Sequence, residues 1–161
     1  MLHTATPNST KIPFTLEGYA KLEAELEEKR AAEKGALERL VVAREMGDLS
    51  ENGMYKYAKM ELGDSRRRIR EILHLLKMII PTPKPINPTK VVFGCTVVLE
   101  ANTSKKPQTY LIVSTHEADP LAGKISPESP LGSALMDRKI GDTVSFTTPQ
   151  GVKNLTITAL N

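Results

Sequence analysis

Residues 55–79 carry the pattern that most restricts what this chain can fold into. Tyr55, Ala58, Leu62, Ser65, Ile69, Ile72, Leu76 and Ile79 are separated alternately by three and four residues without a break. That spacing puts all eight on one stripe of an α-helix and is the seam of a coiled coil. A helix with one apolar stripe must bury it against a partner, and the chain offers one immediately upstream. From Thr15, suited to cap a helix start, to about Met46 the spacing is again helical. The apolar marks there are Leu16, Tyr19, Leu22, Leu26, Ala36, Leu37, Leu40 and Val41, interrupted at Lys29, Arg30 and Glu33. A short turn between Gly47 and Gly53 joins the two segments, so both stripes can be buried only in an antiparallel hairpin. With roughly 25 to 32 residues per helix, that hairpin is on the order of 40 Å long.

Composition changes abruptly after the hairpin. Residues 14–80 hold 26 of the 41 charged residues and no proline, whereas Pro81, Pro83, Pro85 and Pro88 follow in quick succession. A helix cannot run through such a stretch, which favours an extended connector. Beyond Lys90 come β-branched runs, "KVVFGCTVVLE" and "QTYLIVSTH". "SPLGSALMDRKIGD" predicts a short helix entered through Ser129-Pro130 and ended near Gly141. "TVSFTT" and "VKNLTITAL" flank "PQG", which fits a turn with Pro149 second and Gly151 fourth, hence a hairpin. The expected architecture is α+β with two domains. Residues 1–13 form a flexible arm, 14–80 an antiparallel coiled-coil hairpin with an acidic tip at 47–53, 81–89 a linker, and 90–161 a mostly antiparallel sheet domain with one short helix.

Several functional classes are excluded or disfavoured. The lone Cys95 rules out an internal disulfide and reads as a buried strand residue in a reducing, cytoplasmic protein. His3, His74 and His116 have no metal-ligand spacing. No apolar run suits a secretory signal or a membrane span. A net charge of +3 leaves room only for a local basic patch.

Such a patch exists. Lys56, Lys59, Gly63, Arg66, Arg70, His74 and Lys77 form a stripe beside the apolar seam, while Arg67 and Arg68 point elsewhere and read as ordinary surface charges. The stripe is either a solvated face paired with Glu23, Glu25, Glu27 and Glu28, or a track for phosphates, which Lys and Arg neutralise without reading sequence. At the turn, Asp48-Leu49-Ser50-Glu51 has the form of a capping box. The same two carboxylates are hard oxygen donors of the kind that hold Mg²⁺. The two readings are compatible. Two carboxylates alone bind Mg²⁺ weakly, so a working site needs a second surface, and the isolated protein is expected to hold no ion and catalyse nothing. "KISPESPLGSAL" is either a connecting and capping loop or a partner-binding one.

"GDLSEN" between two coiled-coil helices resembles the Gre family of bacterial transcript cleavage factors. So do "VAREMGD", "TLEGYAKLEAELE", and in the second half "VVFGCTVVLE", "TYLIVSTHEAD", "GKISPESPLGSAL", "KIGD" and "TPQGV", in the family's order. The second half leans toward the GreA side. The resemblance implies an FKBP-like C-terminal domain that docks on RNA polymerase. It also implies a hairpin that enters the polymerase secondary channel and promotes Mg²⁺-dependent cleavage of an extruded RNA 3′ end. By the same resemblance Asp48 and Glu51 orient a Mg²⁺ shared with the polymerase, and Arg44, Asn52 and Tyr55 support the tip. Lys56, Lys59, Arg66 and Arg70 face the RNA, and Ser129 and Pro130 touch the polymerase. The factor is expected to be a monomeric accessory protein, not an enzyme. Gly53-Met54 departs from the family pattern, which usually has Ala and an acidic residue there. Two rivals remain. One is a channel-binding regulator that inhibits transcription without cleavage. The other is a prolyl isomerase, disfavoured because Phe93, Tyr110 and Phe146 all occupy strand-like positions.

Overall fold

The computed structural model describes residues 11–46, 53–101, 104–148 and 151–161. These divide into two compact units, Tyr19–Ile79 and a second made of Lys11–Gly18 with Ile80–Asn161.

The first unit is a pair of long helices, α1 (Leu16–Glu45) and α2 (Gly53–Met78), the first turn of α1 belonging to the second unit. Three ion pairs between the helices show their relative direction. Glu25 meets Arg68, Glu33 meets Arg66, and Arg39 meets Glu61, so residue numbers rise on one helix as they fall on the other. All eight expected seam positions are buried or half-buried, seven of them on α2 and the eighth, Ile79, just past its end. On α1 the seam differs from expectation. It runs through Tyr19, Leu22, Leu26, Lys29, Glu33, Ala36, Leu40 and Ala43 in unbroken three-four spacing. Lys29 and Glu33 are therefore seam members, their methylene stems half-covered and their charged ends reaching the edge. Leu37 and Val41, read as seam marks, are 44% and 50% exposed, and Leu16 is also exposed. The most buried seam residues include Ala36, Ala43, Ala58 and Ser65, whose small side chains let the helix backbones approach closely.

The capping geometry expected of Asp48 and Glu51 lies outside the described residues. At the other end of α1 the Thr15 cap is present, its Oγ1 accepting the Gly18 N–H at 3.0 Å. Two stretches expected to be irregular are strands instead: Ile12 and Pro13, read as the end of the arm, and Pro81 and Thr82, read as the start of the linker. Ile12–Thr15 is a strand, β1, paired with a second strand, β2 (Ile79–Thr82), in a two-stranded sheet. Each strand is four residues long and contains a proline, too short for alternation to reveal it in the sequence.

In the second unit β3 (Thr96–Ala101), β4 (Ser104–Ile112), β5 (Lys124–Ile125), β6 (Thr143–Thr148) and β7 (Gly151–Leu160) form one sheet in the order β5-β4-β3-β7-β6. Every pairing is antiparallel except β4 with β5. The expected pairing of the last two strands is present, with Thr148 opposite Gly151, while the turn expected at Pro149 lies outside the described residues. Alternate residues Val97, Leu99, Ile112, Val144, Leu155 and Ile157 point to one face and pack with Val91, Cys95, Ile125 and Leu135. Leu135 comes from α3 (Pro130–Leu135), which is shorter than the sequence suggested. It stops because Asp137 takes a left-handed backbone (φ 63°) and its N–H donates to the Val91 carbonyl, while the Arg138 carbonyl accepts from Val91 N–H. Phe93, expected on a strand, sits in the turn before β3.

Two outcomes follow from this packing. Cys95 is fully buried, and desolvation pushes its thiol above the ordinary range. It is expected to resist a thiol reagent such as DTNB at pH 8 in the folded protein and to react fully in guanidinium; rapid native-state labelling contradicts the burial. For the hairpin, the Arg68 guanidinium hydrogen-bonded to Glu25 holds that carboxyl below its usual range, against partial desolvation. A depressed carboxyl contributes stability above its unfolded pKa, near 4.3, and loses it as pH falls through the folded value. The pair is solvent-screened, so Glu25→Gln is expected to cost at most about 1 kcal/mol at pH 7 and less at low pH. Helix-detected denaturation at pH 7 and pH 3 measures both, and an equal effect at the two pH values removes the pair from the account.

Candidate functional site

Of the residues singled out in the sequence, Asp48, Glu51 and Asn52 lie outside the described residues, while the helices that lead to them are described. Arg44 is exposed in the last turn of α1. Tyr55 is half-buried and opens the α2 seam. Gly53 is the first described residue of α2, and Met54 beside it is 59% exposed.

The basic stripe is solvent-facing along α2: Lys56, Lys59, Arg66 and Arg70 are all exposed. It is not uniform. Arg66 Nε donates to Glu33 Oε1 at 2.8 Å, whereas among the described residues Lys56, Lys59 and Arg70 have no ion-pair partner. Within the stripe, pairing to α1 is thus seen at Arg66 alone among the described residues. The pairing with Glu23, Glu25, Glu27 and Glu28 does not occur as expected. Glu27 binds Arg30 on its own helix, Glu28 binds Lys29, and Glu25 binds Arg68. Arg68, read as an ordinary surface charge, is the most engaged arginine of the hairpin. It forks onto Glu25 at 2.6 and 2.9 Å and also reaches Glu71 at 3.2 Å. Its guanidinium is held charged still more firmly by those carboxylates. A cavity of about 650 Å³ beside this pair is lined by Tyr57, Met60, Glu61, Asp64 and Arg67 among others.

In the second unit, Ser129 caps α3. Its Oγ accepts the Gly132 N–H at 3.0 Å and donates to the Ser126 carbonyl at 2.7 Å, and exposed Pro130 follows as the first helical residue. Gly132 is required here, since a Cβ would lie 1.9 Å from the Ser126 carbonyl oxygen. The loop is therefore a rigid cap that presents Pro130 outward. Sequence reasoning missed one feature of this unit. Because α3 covers only part of the core face, the rest stays open as a cavity of about 490 Å³. Tyr110, Phe146, Leu131 and Val152 line it, so two of the three strand-region aromatics share one depression. The period of two along β4 and β6 was the available signal, but pairing register was needed to align them.

Among the described residues no group of three or more His, Cys, Asp and Glu side chains is arranged to hold a metal ion. Nor is any helix long and apolar enough to cross a membrane. Near the turn, a Cβ added at Gly53 meets nothing within 4 Å. Gly53→Ala is accordingly expected to raise stability by up to about 1 kcal/mol through helix propensity. Chemical denaturation followed by helix signal tests this, and a destabilised variant would mean that the α2 start depends on glycine.

Residues 12–79 match the model for "Transcription elongation factor, N-terminal", and residues 86–161 match that for "Transcription elongation factor, GreA/GreB, C-term". Transcription elongation factor GreA of Geobacillus kaustophilus is 39% identical over 156 residues, which is 95% of this chain and 98% of that protein. Transcription elongation factor GreA of Leuconostoc citreum is 43% identical over 144 residues, covering 86% and 88%. Among solved structures, GreA factor homolog 1 (Gfh1) of Thermus thermophilus overlaps 94% of this chain and 99% of its own, with 28% identity and a TM-score of 0.42. With both halves of the sequence matched and relatives aligned nearly end to end, the chain belongs to the GreA/GreB family of transcription elongation factors.

Proposed function

We propose that this elongation factor binds backtracked bacterial RNA polymerase in the cytoplasm, enters its secondary channel with the helical hairpin, and stimulates cleavage of the extruded RNA 3′ end. The observation that carries this reading is the antiparallel hairpin itself. Helices of 30 and 26 residues, about 45 and 39 Å at 1.5 Å per residue, converge on the six-residue stretch that bears Asp48 and Glu51. A slender pair of helices is a means of delivering a few side chains to a recessed site.

The donor set fits a shared ion rather than a resident one. Two carboxylates supply only part of a Mg²⁺ shell, the remainder coming from the polymerase and the RNA phosphate. A second magnesium held jointly with the polymerase would neutralise charge developing in an in-line phosphoryl displacement. This chain's own contribution is to bring Asp48 and Glu51 to it, with Arg44, Asn52 and Tyr55 supporting the turn. Lys56, Lys59 and Arg70, free of ion-pair partners among the described residues, are placed to neutralise phosphates of the extruded RNA. Arg66 would first have to leave Glu33. In the second unit, the Ser129-Pro130 cap offers a rigid surface for the polymerase.

Added to stalled, backtracked complexes with Mg²⁺, the protein is expected to release short 3′ RNA fragments. Asp48→Ala combined with Glu51→Ala should lower that rate by about 100-fold or more while leaving polymerase binding intact, as for groups acting only in the transition state. A double variant that cleaves like the parent sinks the assignment of the tip. Inhibition of transcription with no fragments from the parent favours the inhibitory regulator instead.

A further inference from the structure

The second unit contains a hydrogen-bonded connection that neither the family match nor the tip chemistry uses. It starts at Glu117, on the turn after β4. One carboxylate oxygen accepts from the Thr15 hydroxyl in a short contact. The other accepts the Thr15 N–H at 3.1 Å and the Ser114 hydroxyl at 2.9 Å. Thr15 Oγ1 in turn accepts the Gly18 N–H, so Glu117 and Thr15 together close the first turn of α1. A carboxylate at that end also suits the helix dipole. The two residues are 102 positions apart in sequence.

The same turn is tied in the other direction. Thr115 Oγ1 donates to Glu128 at 3.0 Å. The Glu128 N–H donates to Ser126 Oγ at 3.1 Å, and the Ser126 carbonyl accepts from the Ser129 hydroxyl. Residues 114–117 therefore hold both the root of α1 and the loop that ends at Ser129-Pro130. Ser114 and Ser126, the interior members, are 4% and 5% exposed, and no buried side-chain polar atom among the described residues is left unpartnered. Space is equally constrained. A Cβ at Gly18 would lie 2.1 Å from Glu117 Oε1 and 2.9 Å from the Phe14 ring. Glycine at this helical position leaves room for the carboxylate and costs helix propensity.

We propose that Glu117 is a positioning residue for the cleavage function: it fixes the first turn of α1 to the turn that also holds the Ser129-Pro130 loop, so that the start of the hairpin is held when the loop is docked. This rests on the proposed function. A helix is stiff over its length, so freedom of its first turn is magnified at the far end. Loss of the clamp leaves the tip chemistry intact and the docking surface intact, but lowers the fraction of bound factor whose tip is in place.

Two variants separate this from a folding role. Glu117→Ala removes the acceptor. Gly18→Ala removes no hydrogen-bonding group and improves helix propensity, yet its methyl occupies the space of the carboxylate. Both are expected to lower the fragment-release rate at saturating factor by about ten-fold and to leave the half-saturating concentration within about two-fold of the parent, the signature of lost positioning rather than lost binding. Glu117→Gln should restore most of the rate, because its amide oxygen, placed toward Ser114, accepts both the Thr15 N–H and the Ser114 hydroxyl, while its NH₂ donates to Thr15 Oγ1, whose two lone pairs take this hydrogen and the Gly18 N–H. Parent-like saturating rates in both disrupting variants overturn the proposal, as does an equal loss in Glu117→Gln. So does a shift confined to the half-saturating concentration. If the parent itself releases no fragments, it is the underlying function that has failed. The Asp48/Glu51 double variant, measured in parallel, marks the zero-cleavage level with docking retained.

Discussion

A two-helix hairpin has one seam to bury and nothing behind it. Its stability rests on how closely two backbones approach along that seam, and here the approach is set by Ala36, Ala43, Ala58 and Ser65 alternating with Leu26, Leu62 and Ile72. Small side chains bring the helices together, and larger ones fill the gaps on either side. Little apolar area is available, so charged side chains are recruited into the seam. Lys29 and Glu33 occupy positions that a thicker bundle would give to leucine. The helix pair is thereby held without widening it.

The second unit solves the opposite problem. Five strands bring more apolar surface to one face than a six-residue helix can cover. The covered part is a fully buried core around Val97, Leu99, Ile112 and Leu135. The uncovered part is the depression lined by Tyr110, Phe146 and Leu131. Both follow from the early end of α3, where Asp137 and Arg138 exchange backbone hydrogen bonds with Val91.

Much of this was legible in the residues, for identifiable reasons. The α2 seam could be read in full because every member is apolar, alanine or serine. The α1 seam was read only in part, since Lys29 and Glu33 look like interruptions and Leu37 and Val41 look like members. Side-chain chemistry alone does not tell a stem buried at the seam edge from a solvated charge. Arg68 was mistaken for the same reason. The strands Ile12–Thr15 and Ile79–Thr82 were hidden by their length, and the Glu117–Thr15 clamp by its sequence separation, which no local pattern reports. Of the candidate site, the residue types and their spacing were legible and the stripe is exposed as expected. Which of its members are already neutralised was not, because that depends on the register between helices.

The cross-helix ion pairs have a consequence beyond the small energies usually given to exposed pairs. Arg68 faces Glu25, and Glu61, one heptad earlier on α2, faces Arg39. Slide α2 by one heptad in one direction and Glu25 comes opposite Glu61. Slide it in the other and Arg39 comes opposite Arg68. Apolar seams with a heptad repeat tolerate such slips almost indifferently, but these charges convert each slip into a like-charge collision. The ladder thus works as an error check on assembly, rejecting the two nearest misfolded hairpins, each of which would end at a different place.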